Sequence, residues 1–295
     1  MKNTLIILSS ILLIAFVGLS FLDNSDYGLE RQLWYLQKEF DHLTRDPQAV
    51  PASAFDHLQQ KYQNLAAQAG KPMQAKILMQ RGQLYLLQED FAKAREFFRR
   101  VTQEYAQNEG VQAEALFYQG LTHEKEGLAA EAFNIYKEIQ ERYPLTVTGM
   151  NIPLYIANYH LKRKEEKQAA AAFKSAEAFY TKIHGEYSTT AAGYMALRLL
   201  ATVHLAQADW EEALGVLERL LLEYPSTQSS RDPQAVLLIR TINAVALNQL
   251  NQPERARKIY EKFIDQFPQH PLNKALKTLL PQLKPADEKT SESAE

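Results

Sequence analysis

From Leu29 onward, apolar residues recur every three or four positions, the period of one face of an α-helix. Leu29, Leu33, Leu36, Phe40 and Leu43 mark one amphipathic helix. Pro47 and Pro51 bracket the loop after it, and Ala54, Phe55, Leu58, Tyr62 and Leu65 restart the pattern. Residues 23–70 therefore read as a divergent leading helix pair. Near the other end, Leu272, Leu276, Leu279 and Leu283 predict a capping helix, which a stacked helical array needs to cover its last apolar face. The segment 285–295, PADEKTSESAE, has no apolar period and is expected to be disordered.

Between these flanks the chain repeats itself. Small residues stand at Gly82, Gly120, Ala157, Ala201 and Ala244, and each is followed twelve positions later by an alanine: Ala94, Ala132, Ala169, Ala213 and Ala256. Four positions further on comes a bulky apolar residue: Phe98, Tyr136, Phe173, Leu217 or Tyr260. Three units close on an aromatic followed by Pro144, Pro225 or Pro268. The small residue and the alanine suit places where two antiparallel helices cross closely. The bulky residue fills the neighbouring space, and proline, lacking an N–H, stops the second helix. A unit of this kind is a helix pair, so 71–284 predicts five stacked pairs and the cap.

These five registered copies resemble the tetratricopeptide repeat template of a small residue, an alanine, an aromatic and a closing proline. The resemblance covers about residues 70–270 and implies an all-α, right-handed solenoid of about six antiparallel helix pairs with the leading pair included. The chain departs from the family in four ways: the Trp column is empty, Val101 and Ala106 replace late consensus residues in the first unit, the third unit lacks its proline, and the period exceeds 34 residues. Stretched units ending in Tyr-Pro look like periplasmic members of the family, such as the Tol–Pal accessory protein and the outer-membrane assembly lipoprotein. The lipoprotein likeness stops at the N-terminus, because the chain has no Cys.

Residues 4–22, TLIILSSILLIAFVGLSFL, carry no charge. A helix of this length spans roughly 28 Å, close to the ~30 Å hydrocarbon core of a bilayer. Lys2 precedes it and Asp23, Asp26 and Glu30 follow it, so the positive-inside rule places the remainder across the membrane. The expectation is an anchor at 1–22 on a single-pass inner-membrane protein facing the periplasm. A cleavable signal peptide is the alternative reading of the same segment.

Composition narrows the chemistry. Leu (40) and Ala (37) dominate while Gly (11) and Pro (12) are scarce, which favours helices over an all-β fold. The absence of Cys excludes disulfides, thiolate metal sites and a Cys nucleophile. A net charge of −2 gives no global attraction to nucleic acid. No metalloprotease, nucleophile-elbow, phosphate-loop or dinucleotide pattern occurs. His123, His160 and His204 share one repeat column, yet stacked units lie roughly 10 Å apart, too far for three ligands to meet one zinc ion. No catalytic residue, cofactor or metal is therefore expected. The basic set Lys93, Arg95, Arg99 and Arg100 reads as solvated helix surface.

The chaperone-binding branch of the resembled family clamps a carboxylate with Lys, Arg and Asn on the inner helix face. The comparable positions here are Lys76, Met79, Gln83, Phe117, Tyr118, Leu121, Tyr155, Asn158 and Arg198, mostly apolar, aromatic or amide, so that clamp is absent. Phe117, Tyr118, Leu121, Tyr155, Asn158 and Arg198 are the candidate partner-binding residues, because aromatics bury large area at low entropy cost. Packing between neighbouring units is the competing role for the same rings. The expected function is a non-enzymatic, membrane-tethered scaffold for a protein or peptide partner in the cell envelope. A solenoid enzyme or carrier acting on glycan or peptide is the alternative, and acidic residues clustered in one groove would favour it.

Overall fold

The computed structural model describes residues 26–45, 50–225 and 233–283. These residues form thirteen α-helices and no strand. The helices divide between two compact units, Met1–Gly149 and Met150–Glu295.

The first unit contains α1 (Asp26–Arg45), α2 (Ala52–Ala66), α3 (Lys71–Leu87), α4 (Phe91–Glu104), α5 (Glu109–Lys125) and α6 (Ala129–Arg142). Helices pack chiefly on their sequence neighbours, as short connections dictate. Leu29, Phe40, Leu58, Tyr62 and Leu65 bury the leading pair, while Leu78, Phe97, Phe98, Val101 and Ala115 form the next core. Gly82 and Gly120 explain how the pairs come so close. A Cβ at Gly82 would lie 2.5 Å from Phe98 Cε1, and one at Gly120 would lie 2.5 Å from Tyr136 Cε1.

The second unit contains most of α7 (Val147–Lys162), then α8 (Glu166–Tyr187), α9 (Ala191–Gln207), α10 (Trp210–Glu223), α11 (Pro233–Asn243), α12 (Pro253–Gln266) and α13 (Asn273–Leu279). One continuous core runs from Met150 to Leu283 and includes Leu272, Leu276 and Leu283 of the capping segment. All five repeat alanines are buried, as are Phe98, Tyr136, Phe173, Leu217 and Tyr260.

Two elements differ from the simple repeat. Twelve positions after Ala169, Thr181 stands where three other units have proline, and α8 runs on to 22 residues against 14 in α6, α10 and α12. Tyr180, buried inside that extension, donates its hydroxyl to the Met150 carbonyl at 2.8 Å, three residues before Pro153 interrupts the N–H series of α7. The second departure is a π-helical turn, Ala244–Gln249, that continues α11. Its additional residue rotates Ala244 out to solvent, and Asn243 Oδ1 instead accepts from the Tyr260 hydroxyl at 2.8 Å. The expected small residue of the fifth unit is thus displaced from the crossing.

The expected membrane-spanning helix is not supported by the structure. No helix among the described residues is long and apolar enough to cross a membrane. Even the longest, α8, carries Glu166, Lys167, Lys174, Glu177, Lys182 and Glu186. The segment 4–22 on which the expectation rested lies outside the described residues, as does 285–295. A single-pass inner-membrane location facing the periplasm is therefore not supported.

Candidate functional site

The first unit holds a groove of about 960 Å³ walled by α1, α3 and α5. The α1 wall presents Glu30, Leu33, Trp34 and Gln37, whose spacing of three, four and seven puts them on one helix face. The α3 wall presents Met73, Lys76, Met79, Gln80 and Gln83, and α5 adds Val111 and Glu114. Proline at the start of α3 suits the first turn, where its missing N–H has no partner to lose. Asn108 caps α5 by accepting from Val111 N at 3.1 Å, which orients the wall that carries Glu114.

The groove combines apolar floor with unspent polar groups. Met79 is buried, whereas Trp34 is 55% exposed, edge-on to Tyr35 at 4.9 Å and with Lys38 Nζ 5.2 Å from its ring centre. Gln80 Oε1 is buried and has no hydrogen-bond partner among the described residues. Glu30, Lys76 and Glu114 make no ion pair among the described residues. Desolvation raises the Glu114 carboxyl above the usual carboxylate value, although its side chain still meets solvent. Tyr118, one turn further along α5, is also raised, first by burial and then by the Glu114 charge.

The six residues chosen from the sequence divide between the units. Phe117, Tyr118 and Leu121 are half-buried on α5, beyond the groove-lining turn of that helix. Phe117 stacks on Tyr136 at 5.7 Å, and Tyr118 stacks on Phe98 at 5.3 Å, so both rings bind helix to helix. In the second unit, Tyr155 and Asn158 are half-buried, and Arg198 is exposed with Nη2 3.2 Å from Met195 Sδ. Lys76, Met79 and Gln83, compared above only with the absent clamp, do line the groove. Glu114 occupies the Lys76 column, six positions before its glycine, so the repeat register carried a signal for it. Nothing in the register marked Trp34, because α1 lies outside the five registered units.

Each histidine of the column lies nearest a different carboxylate. His160 Nδ1 lies 2.6 Å from Glu165 Oε2, His204 Nδ1 3.9 Å from Asp209 Oδ2, and His123 Nδ1 4.0 Å from Glu126 Oε2. No three or more metal-ligating side chains group together among the described residues.

Two family models, each described as tetratricopeptide repeat, match this chain. One covers residues 59–109 and the other covers 114–146, 195–227 and 244–270. The chain carries tetratricopeptide repeats. Similar solved structures include a thermophilic tetratricopeptide protein of Thermus thermophilus, at 17% identity over 71% of this chain and 98% of that one, with a TM-score of 0.38. A tetratricopeptide repeat protein from Parabacteroides merdae is 13% identical over 86% of this chain and 99% of its own, with a TM-score of 0.34. The apo form of the quorum sensor NprR from B. thuringiensis is 17% identical over 93% and 75%, with a TM-score of 0.38. No curated protein matches. The comparisons identify the repeat, not the envelope type suggested by its stretched units. Within the tetratricopeptide array, the groove of the first unit gathers side chains from three helices.

Proposed function

We propose that this tetratricopeptide protein is a non-enzymatic scaffold that holds an extended segment of a partner protein in the groove of its first unit. Tetratricopeptide repeats suggest a protein–protein interaction scaffold. The observation that carries the reading further is the groove itself. It is roomy at about 960 Å³, and it offers apolar Leu33, Met73 and Met79, an exposed Trp34, and amide groups at Gln37, Gln80 and Gln83. Apolar surface of this kind binds side chains, while amides can pair with the N–H and C=O groups of an extended backbone, which otherwise lose hydrogen bonds on leaving water.

Selection of peptides from a random-sequence library against the full chain tests the proposal. Selected peptides should lose about tenfold or more in affinity to a Trp34→Ala variant, the size expected for an exposed aromatic anchor. An Arg99→Ala variant, changed on the exposed surface of α4, should bind as the parent does. Peptides that bind both variants and the parent alike would place the interaction elsewhere. Far-ultraviolet circular dichroism of each variant separates lost binding from lost helix.

A further inference from the structure

The walls of the groove bear charges and a buried acceptor that the chain itself leaves unanswered. Glu30 on α1 and Glu114 on α5 bring two negative charges, and Lys76 on α3 brings one positive charge, and none of the three has an ionic partner among the described residues. Gln80 adds a buried carbonyl oxygen without a donor among the described residues. Desolvation raises the Glu114 carboxyl above the usual carboxylate range. Among the lining residues two carboxylates outnumber one ammonium, and the half-exposed Trp34, with Lys38 Nζ 5.2 Å from its ring centre, lies on the same wall as Glu30.

From this charge balance we infer that the groove selects a cationic segment, an extended peptide bearing a lysine or arginine next to an apolar residue. Its cationic head would answer Glu114 and Glu30, and the apolar neighbour would lie on Met79 and Trp34. Lys76 opposes this ligand, and its place on α3 limits how many positive charges the segment can carry. The inference rests on the groove-binding reading above and adds the chemistry of the occupant to it.

Three labelled peptides of one length test it against the full chain by fluorescence anisotropy: one with lysine and arginine beside leucine and phenylalanine, one with glutamate in the basic positions, and one with glutamine there. The basic peptide should bind tightest and the acidic one weakest. A Glu30→Gln, Glu114→Gln double variant should weaken the basic peptide about tenfold, and Lys76→Gln should strengthen it about threefold. Glu114 is faced across the groove by Glu30 and Lys76 and along its own helix by Tyr118, and desolvation raises its carboxyl, so it gains a proton at a higher pH than an ordinary carboxylate would. Affinity for the basic peptide should therefore drop on acidification, and the double variant should lose that dependence. Preference for the acidic peptide, or an unchanged affinity in the double variant, overturns the cationic inference. If all three peptides bind equally and Trp34→Ala abolishes binding, the groove reading stands and the charge selection fails. If no peptide binds the parent chain, the groove reading fails along with it.

Discussion

Gly82 and Gly120 differ from Gly215 by what an added methyl would touch. At the first two, the methyl would strike the rings of Phe98 and Tyr136, both fully buried and unable to give way. Gly82→Ala or Gly120→Ala should therefore destabilise by about 1–3 kcal/mol through overpacking. Gly215 sits mid-helix in α10, where an added Cβ would meet nothing within 4 Å, so Gly215→Ala should stabilise by about 0.5–1 kcal/mol. Urea titrations of the three variants check both signs. The column of small residues was legible in the sequence, because a glycine that recurs at one register position marks a place where a side chain has no room. The failure at Ala244 was not legible, since a π-turn depends on how the whole of α11 packs.

Buried tyrosines supply a second residue-scale test. Tyr62, Tyr180 and Tyr260 have phenol groups raised well above the ordinary value of about 10, chiefly by desolvation. Each keeps its proton in the folded chain and releases it on unfolding at high pH. Their contribution is complete below the unfolded value and declines as pH rises from about 10 toward the folded value. Stability should fall above pH ~10, and Tyr260→Phe should make that fall shallower. Denaturant midpoints measured between neutral and alkaline pH give the slope.

Among the elements, the turns inside the helix pairs share one feature. Glu89, Gly127, Lys164, Ala208 and Asn251 all have positive φ, and each lies five positions before its repeat alanine. A left-handed residue lets the first helix end and the second begin at once, and the strain of a side chain there is about 1 kcal/mol. Ala208→Gly should relieve it and raise the melting temperature, whereas Gly127→Ala should lower it by a similar energy. Calorimetry on this pair reads opposite shifts from mirror-image substitutions. The sequence hid this column, because four of its five residues are not glycine.

The junctions between pairs also share a device that sequence inspection passed over. Asn108, Thr146 and Thr190 each follow an aromatic by three positions and cap the next helix, accepting from Val111, Gly149 and Gly193 N–H at 3.1, 3.0 and 3.3 Å. At Gly149 and Gly193 a Cβ would lie within about 2 Å of the Tyr143 and Tyr187 carbonyl oxygens, so the incoming helix needs glycine there. Local motifs of this kind are readable only once the aromatic is known to end a helix.

At the scale of the whole molecule, the two units have separate cores, and damage should stay where it is made. Leu217 belongs to the core of the second unit, and Leu217→Ala should cost about 2–5 kcal/mol. Hydrogen exchange should then speed up in α9 to α12 while α2 to α5 keep their protection, because helices in repeat arrays depend mainly on their neighbours. Equal loss of protection in both units would show that the array unfolds as one body.

The periodicity alone marked this chain as helical and picked out the five repeat alanines and the bulky residues four positions after them as buried, because a face that must leave water repeats at 3.6 residues and crossings demand small side chains. Uncharged residues at 4–22 suggested a membrane helix by the same logic, but no helix among the described residues is long and apolar enough to cross a membrane. Only the tertiary structure decided which inner-face residues are available. Phe117 and Tyr118 look like anchors in the sequence and are claimed by Tyr136 and Phe98. Glu30, Trp34, Gln80 and Glu114 look ordinary there, and they meet in one groove because three helices, distant in sequence, turn those faces toward a common space. A residue's period tells which side of its helix it occupies, and the neighbouring helices decide whether that side is filled or left open.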